Sequence, residues 1–197
     1  NRIPVETIIA EFDEELIAQA IKSELKRKGQ VFFLHNRIED IHKIAQIIQR
    51  LIPQARTAVA HGRMSSRELE EIMISYLNAR IDVLVCTSII SSGIDIPNAN
   101  TLIINHADHF GLSDMHQLRG RVGRLDKQAY AYFIIPPKGK LSSIAKSRLE
   151  VIEKYSGLGS GFHIAFEDLQ LRGAGNILGQ EQHGYITTIG FDLYCRL

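Results

Sequence analysis

The chain has 197 residues, of which 45% are hydrophobic and 23% charged, and its formal net charge is +1. That length holds one domain with an appendage and a sizeable core. The near-neutral balance excludes a strongly basic polyanion-binding tail, though not a local basic groove. The two cysteines, Cys86 and Cys195, are far apart and form no metal spacing, which points to a reducing, cytoplasmic setting. No apolar run is long enough to span a bilayer, and no signal peptide is present. Both ends read as cuts, so a piece of a larger protein is expected.

In chain order, Ile3 to Phe12 reads as a strand, and Asp13 caps a helix that runs to about Lys28 and stops at Gly29. Asp13-Glu14 is not an ATPase acidic box, because it opens a helix instead of closing a buried strand. Val31-Phe32-Phe33-Leu34 is a continuous apolar run, the mark of a strand buried on both faces. Glu39 to Leu51 returns as a helix with Ile41, Ile44, Ala45 and Ile48 inside. Ala55 to Ala60 is a strand, and Ser65-Ser66-Arg67-Glu68 is a capping box opening a helix from Arg67 to Asn78. Further strands are expected at Asp82 to Thr87, Thr101 to Asn105 and Ala129 to Ile135. A helix follows at about Ser142 to Tyr155. The glycine-rich Ser156 to Gly161 is a hinge, and Phe162 to Leu169 is a short helix before a glycine-rich tail.

Strands alternating with helices at this spacing predict an α/β fold, a parallel sheet with helices on both faces. Ligands bind such sheets where the strands end. Asn36, His61, Thr87 and Asn105 all fall at predicted carboxyl ends.

Gln117-Leu118-Arg119-Gly120-Arg121-Val122-Gly123-Arg124 is the densest chemical stretch. If it is helical, Gln117, Arg121 and Arg124 share one face, which would sit on the same rim as the strand ends. Arginine offers a planar fork of donors suited to terminal phosphates. The glycines allow close approach, at a cost of about 1 kcal/mol each inside a helix. A solvated basic helix end is the plainer alternative. No Gly-x-x-x-x-Gly-Lys-Ser/Thr phosphate loop occurs. Arginines without a phosphate cradle suggest a domain that completes another domain's active site. Thr87 to Pro97 adds hydroxyls and Gly93 after a strand, a suitable lining for phosphate oxygens, while Asp95 could accept from a ribose hydroxyl. An ordinary turn is the alternative there. His106, Asp108 and His109 lack a fourth ligand, so no metal site is expected.

These residues carry a resemblance. Gln117 to Arg124 resembles motif VI of superfamily 2 helicases, Gly93-Ile94-Asp95-Ile96-Pro97 their motif V, and Val31 to Arg37 their motif IV. Together they mark the second RecA-like lobe of such motors. Asp168 to Asn176 and Gly179 to Gly184 resemble the translocation (TRG) motif shared by RecG helicases and transcription-repair coupling factors. Arg172-Gly173-Ala174-Gly175, Ala129-Tyr130-Ala131-Tyr132 and Gly190 to Tyr194 are more similar to the coupling factors.

The resemblance implies a RecA-like lobe over 1–140 and a helical translocation hairpin with its tail over 141–197. It implies that Arg121 and Arg124 are arginine fingers for ATP and Mg²⁺ held mainly by a first lobe absent from this chain. Gln117 would sense the nucleotide, with Gly93 and Asp95 beside it. Asn36, Arg37, His61, Gly62, Thr87 and Ser88 would face the backbone of double-stranded DNA, and Arg172 and Gln182 would couple closure to translocation. RNA polymerase and excision-repair proteins would be partners through other domains. Where the family has glutamate and threonine before the motif V glycine, Ser91 and Ser92 stand here. Without a phosphate loop or acidic box, this chain alone is expected not to hydrolyse ATP. Two alternatives stand beside this reading: a lobe of a RecG-like fork-remodelling helicase, and a non-catalytic nucleic-acid-binding module.

Overall fold

The structure is a computed structural model that describes residues 3–88, 98–123, 127–157 and 159–171. Its strands are β1 (Glu6–Glu11), β2 (Gln30–Leu34), β3 (Thr57–Ala60), β4 (Val83–Cys86), β5 (Ala99–Ile104) and β6 (Tyr130–Ile135). Its helices are α1 (Glu14–Lys26), α2 (Ile41–Leu51), α3 (Ser66–Leu77), α4 (Leu112–Gly120), α5 (Ser143–Lys154) and α6 (Gly161–Leu171). All strand pairs are parallel, in the order β1-β6-β5-β2-β4-β3.

The apolar runs exist because the sheet has a core on each face. Along β2, Val31 and Phe33 join one cluster with Ile17, Ile21, Ile41 and Ile48 of α1 and α2. Phe32 and Leu34 join the other, with Tyr76, Met115, Leu149 and Ile164 of α3 to α6. Alternate residues of a strand point to opposite faces, so every position of a doubly covered strand must be apolar. The crossovers from β1 to β2 and from β2 to β3 lie on one face. Those returning from β3 to β4 and from β5 to β6 lie on the other, as a single crossover hand requires.

Local signals set the helix ends. Asp13 accepts the Glu15 N–H at 2.9 Å and starts α1. Ser65 and Glu68 close the expected capping box reciprocally. Gly29 acts differently from expectation. Lys28 takes the left-handed backbone at φ 57°, and Gly29 is small because a Cβ there would run into the Glu24 carboxylate. Glu24 is buried and accepts from Thr101 Oγ1 (2.6 Å), Asn100 Nδ2 (3.2 Å) and Arg27 (2.5 Å), which ties the end of α1 to the start of β5. Leu149 and Ile152 of α5 and Ile164 of α6 join the core that α4 packs into.

Candidate functional site

The carboxyl ends of the four strands β5, β2, β4 and β3 lie side by side, and backbone pairing carries on one residue past β5, β2 and β4. The Asn105 N–H donates to Leu34 O (2.9 Å), His35 N–H to Cys86 O (2.8 Å) and Thr87 N–H to Ala60 O (3.2 Å). Asn105, His35, Thr87 and His61 therefore stand in a row along one edge. Exposed Asn36 follows His35 and accepts the Ser88 N–H at 2.7 Å, joining the loops after β2 and β4. Arg37 and Gly62 are exposed beside them. The row contains two buried polar atoms with no hydrogen-bond partner, Thr87 Oγ1 and His61 Nδ1. An unpaired buried polar atom costs about 1–3 kcal/mol, and these two stand on adjoining strand ends.

The motif VI octet departs from expectation in two ways. The helix ends at Gly120, with Arg121 as its cap residue and Gly123 at φ 89°. Gln117 and Arg121 are thus not followed by another helical turn. The octet also does not lie on the rim. α4 begins near the carboxyl edge after β5 and runs back across the sheet, as a parallel crossover must, and the Gly123 N–H donates to Ala99 O (3.1 Å) at the opposite, amino edge. Gln117 is exposed partway along, and half-buried Arg121 sits at the far end. The strand-end candidates and Arg121 are therefore brought to opposite edges of one sheet, linked by a rigid nine-residue helix. Gly93 and Asp95, with Ser91 and Ser92, lie outside the described residues, as do Arg124, Arg172 and Gln182.

Two residues gain roles that the sequence reading did not give them. Arg119 is 3% exposed and donates to the carbonyls of Ile152 and Tyr155, each at 2.6 Å, and to Thr7 Oγ1 at 3.2 Å. It fastens α4 to the end of α5, so this arginine of the octet serves structure. Burial pushes its guanidinium pKa down, yet arginine stays charged at any working pH. The available signal was register: Arg119 falls on the stripe of Leu112 and Met115, which the helix buries.

The second is His35, 1% exposed. Its Nδ1 lies 3.1 Å from Asn105 Nδ2, and its Nε2 2.6 Å from Asp40 Oδ1. Asn105 Oδ1 accepts the His106 N–H at 3.1 Å, which fixes the amide and turns its NH₂ toward His35. Nδ1 must then accept, and the ring proton sits on Nε2, donated to Asp40. Desolvation pushes the Asp40 carboxyl up, but the hydrogen bond from His35, with the Arg37 charge, holds it below the ordinary value of 3.8.

A six-stranded parallel sheet covered on both faces in this order is the RecA-like fold of superfamily 2 helicase C-terminal lobes. Residues 12–126 match the helicase conserved C-terminal domain, and the chain belongs to that family. Over all 197 residues it is 51% identical to the transcription-repair-coupling factors of Staphylococcus epidermidis and Staphylococcus aureus, and it spans 17% of the length of each. The solved structure of RecG bound to a three-way DNA junction matches with a TM-score of 0.75 and 29% identity, covering 99% of this chain and 26% of that one. The higher identity lies with the coupling factors.

Proposed function

We propose that this chain is the second motor lobe of an ATP-dependent double-stranded DNA translocase of the transcription-repair coupling type. The carboxyl edge carries the reading: Thr87 Oγ1 and His61 Nδ1 are buried and unpaired beside exposed Asn36 and Arg37. Hydroxyl, imidazole, amide and guanidinium donors in a row match the oxygens of a nucleic-acid backbone, which positions a protein without reading sequence. Gly62 and Ser88 complete this DNA-facing set.

At the other edge Arg121, with Arg124, would reach ATP and Mg²⁺ held by a first lobe, and Gln117, Gly93 and Asp95 would line the same interface. An arginine finger is worth about 10³–10⁵ in rate because it stabilises charge that grows in the transition state. Placing the two ligands on opposite edges lets closure at one reposition the other through α4. Residues 1–140 would form the lobe and 141–197 the translocation hairpin and tail, with Arg172 and Gln182 as the coupling contacts. RNA polymerase and excision-repair proteins would be engaged through other parts of the longer protein.

The test is duplex-DNA binding by the longer protein. Thr87→Val with His61→Ala should weaken it about ten-fold or more, from lost contacts to phosphate, without altering ATP affinity. Unchanged DNA affinity would remove the DNA-facing role of this edge.

A further inference from the structure

The sheet contains one topological switch point. From β2 the chain leaves toward β3 through α2 on one face, and from the adjacent β5 it leaves toward β6 through α4 on the other. At such a point the two departing loops part and leave a crevice between the strand ends. Here the ends of β2 and β5 are bridged by the His35–Asn105 hydrogen bond.

The bridge reaches both departing loops. On one side His35 Nε2 donates to Asp40, which precedes α2 and makes no side-chain cap hydrogen bond to that helix. The loop it holds is Asn36 to Glu39, whose Asn36 takes the Ser88 N–H. On the other side Asn105 holds the His106 N–H, and His106 sits in the left-handed region at φ 53°. A non-glycine residue in that conformation needs outside support. That turn starts the connector that leads into α4, at whose far end stands Arg121.

We infer that His35 is a positioning residue that couples duplex contact at the β2 loop to the setting of α4 and its terminal Arg121, through the Asp40–His35–Asn105 relay. The inference rests on the motor reading above. A neutral imidazole suits the task because one ring nitrogen accepts and the other donates, along a fixed line, from a ring that is itself buried. The buried His35–Asn105 bond thus ties the two loops to each other.

The test uses the longer protein that contains both lobes. His35→Phe keeps the ring and removes both hydrogen bonds, whereas His35→Gln keeps one acceptor and one donor. DNA-free ATP turnover should stay within about two-fold of the parent in both variants, as expected for a residue away from the nucleotide. Stimulation of turnover by duplex DNA should fall about ten-fold in His35→Phe, the effect of one or two buried hydrogen bonds, and should largely return in His35→Gln. Amide hydrogen exchange at His106 and Ser88 should quicken in His35→Phe.

Asp40→Ala breaks the same relay at its more exposed end and should reproduce the loss of stimulation even if His35→Phe proves unstable. Parental stimulation in Asp40→Ala or in a folded His35→Phe overturns the relay, as does equal impairment of the Phe and Gln variants, which would mean packing alone. A parent protein with no DNA-stimulated turnover instead sinks the motor reading.

Discussion

Arg119 and Tyr155 are joined by a 2.6 Å hydrogen bond from a buried guanidinium to a backbone carbonyl, and the same side chain holds Ile152 O at 2.6 Å. The last carbonyls of a helix have no partner within it, and here an arginine of a neighbouring helix supplies the donors. The end of α5 is thereby fixed to α4, and α6 packs on both.

Replacing Arg119 by methionine retains the apolar stem but leaves two buried carbonyls without donors. The expected loss is about 2–4 kcal/mol of stability. Arg119→Lys should recover only part of it, since one ammonium cannot reproduce the fork. Thermal melting of the three proteins checks this, and a melting point unchanged in Arg119→Met would show that the clamp contributes nothing.

The two glycines of the octet should respond in opposite directions. At Gly123, φ is 89° and an added Cβ would meet Ala129 Cβ at 2.5 Å. Gly123→Ala should cost about 1–3 kcal/mol, from the strained backbone and overpacking. Gly120 ends α4 with nothing among the described residues within 4 Å of an added Cβ. Gly120→Ala should be neutral or stabilise by up to about 1 kcal/mol. Denaturant midpoints of the two variants measured side by side decide the matter.

How far the sequence could be read turns on these same residues. The doubly buried runs Val31 to Leu34 and Asp82 to Thr87, the Asp13 cap and the Ser65 capping box located the strands and helices within a residue or two, because local pattern and tertiary burial agree there. The strand-end candidates Asn36, His61, Thr87 and Asn105 came together for the same reason: parallel topology alone brings strand ends to one edge. The octet misled because residue spacing says nothing about where a helix stops. Gly120 and Gly123 were visible, but the contact of Gly123 with Ala129 and Ala99 is made across the fold. Nothing in the sequence marks out His35, because its partners are 5 and 70 residues away.

A pH dependence follows from Asp82. The hydrogen bonds from Arg56, at 2.6 to 2.9 Å, hold its carboxyl below the ordinary 3.8, with desolvation opposing. A group whose folded value is depressed stabilises above its unfolded value, and that contribution disappears as pH falls through the folded one. Asp82→Asn should therefore be less stable than the parent at neutral pH, with the difference closing below 3.8. A difference that persists undiminished at lower pH would assign the effect to something other than the Arg56 pair.

The coupling role proposed for Arg172 is separable from hydrolysis by experiment. Arg172→Ala in the longer protein should keep ATP turnover within about two-fold, as expected of a residue away from the reacting phosphate, and should lose the displacement of a triplex-forming strand from duplex DNA. Displacement at the parental rate would remove the coupling role from Arg172.

On the proposed reading this lobe supplies positive charge to a nucleotide held elsewhere. The most direct measurement is steady-state ATP turnover by the longer protein carrying Arg121→Ala or Arg124→Ala, with duplex-DNA affinity measured on the same samples. In at least one of them kcat should fall about 10³-fold or more, with DNA affinity nearly unchanged. Normal turnover in both variants, or DNA binding lost in step with turnover, would contradict it.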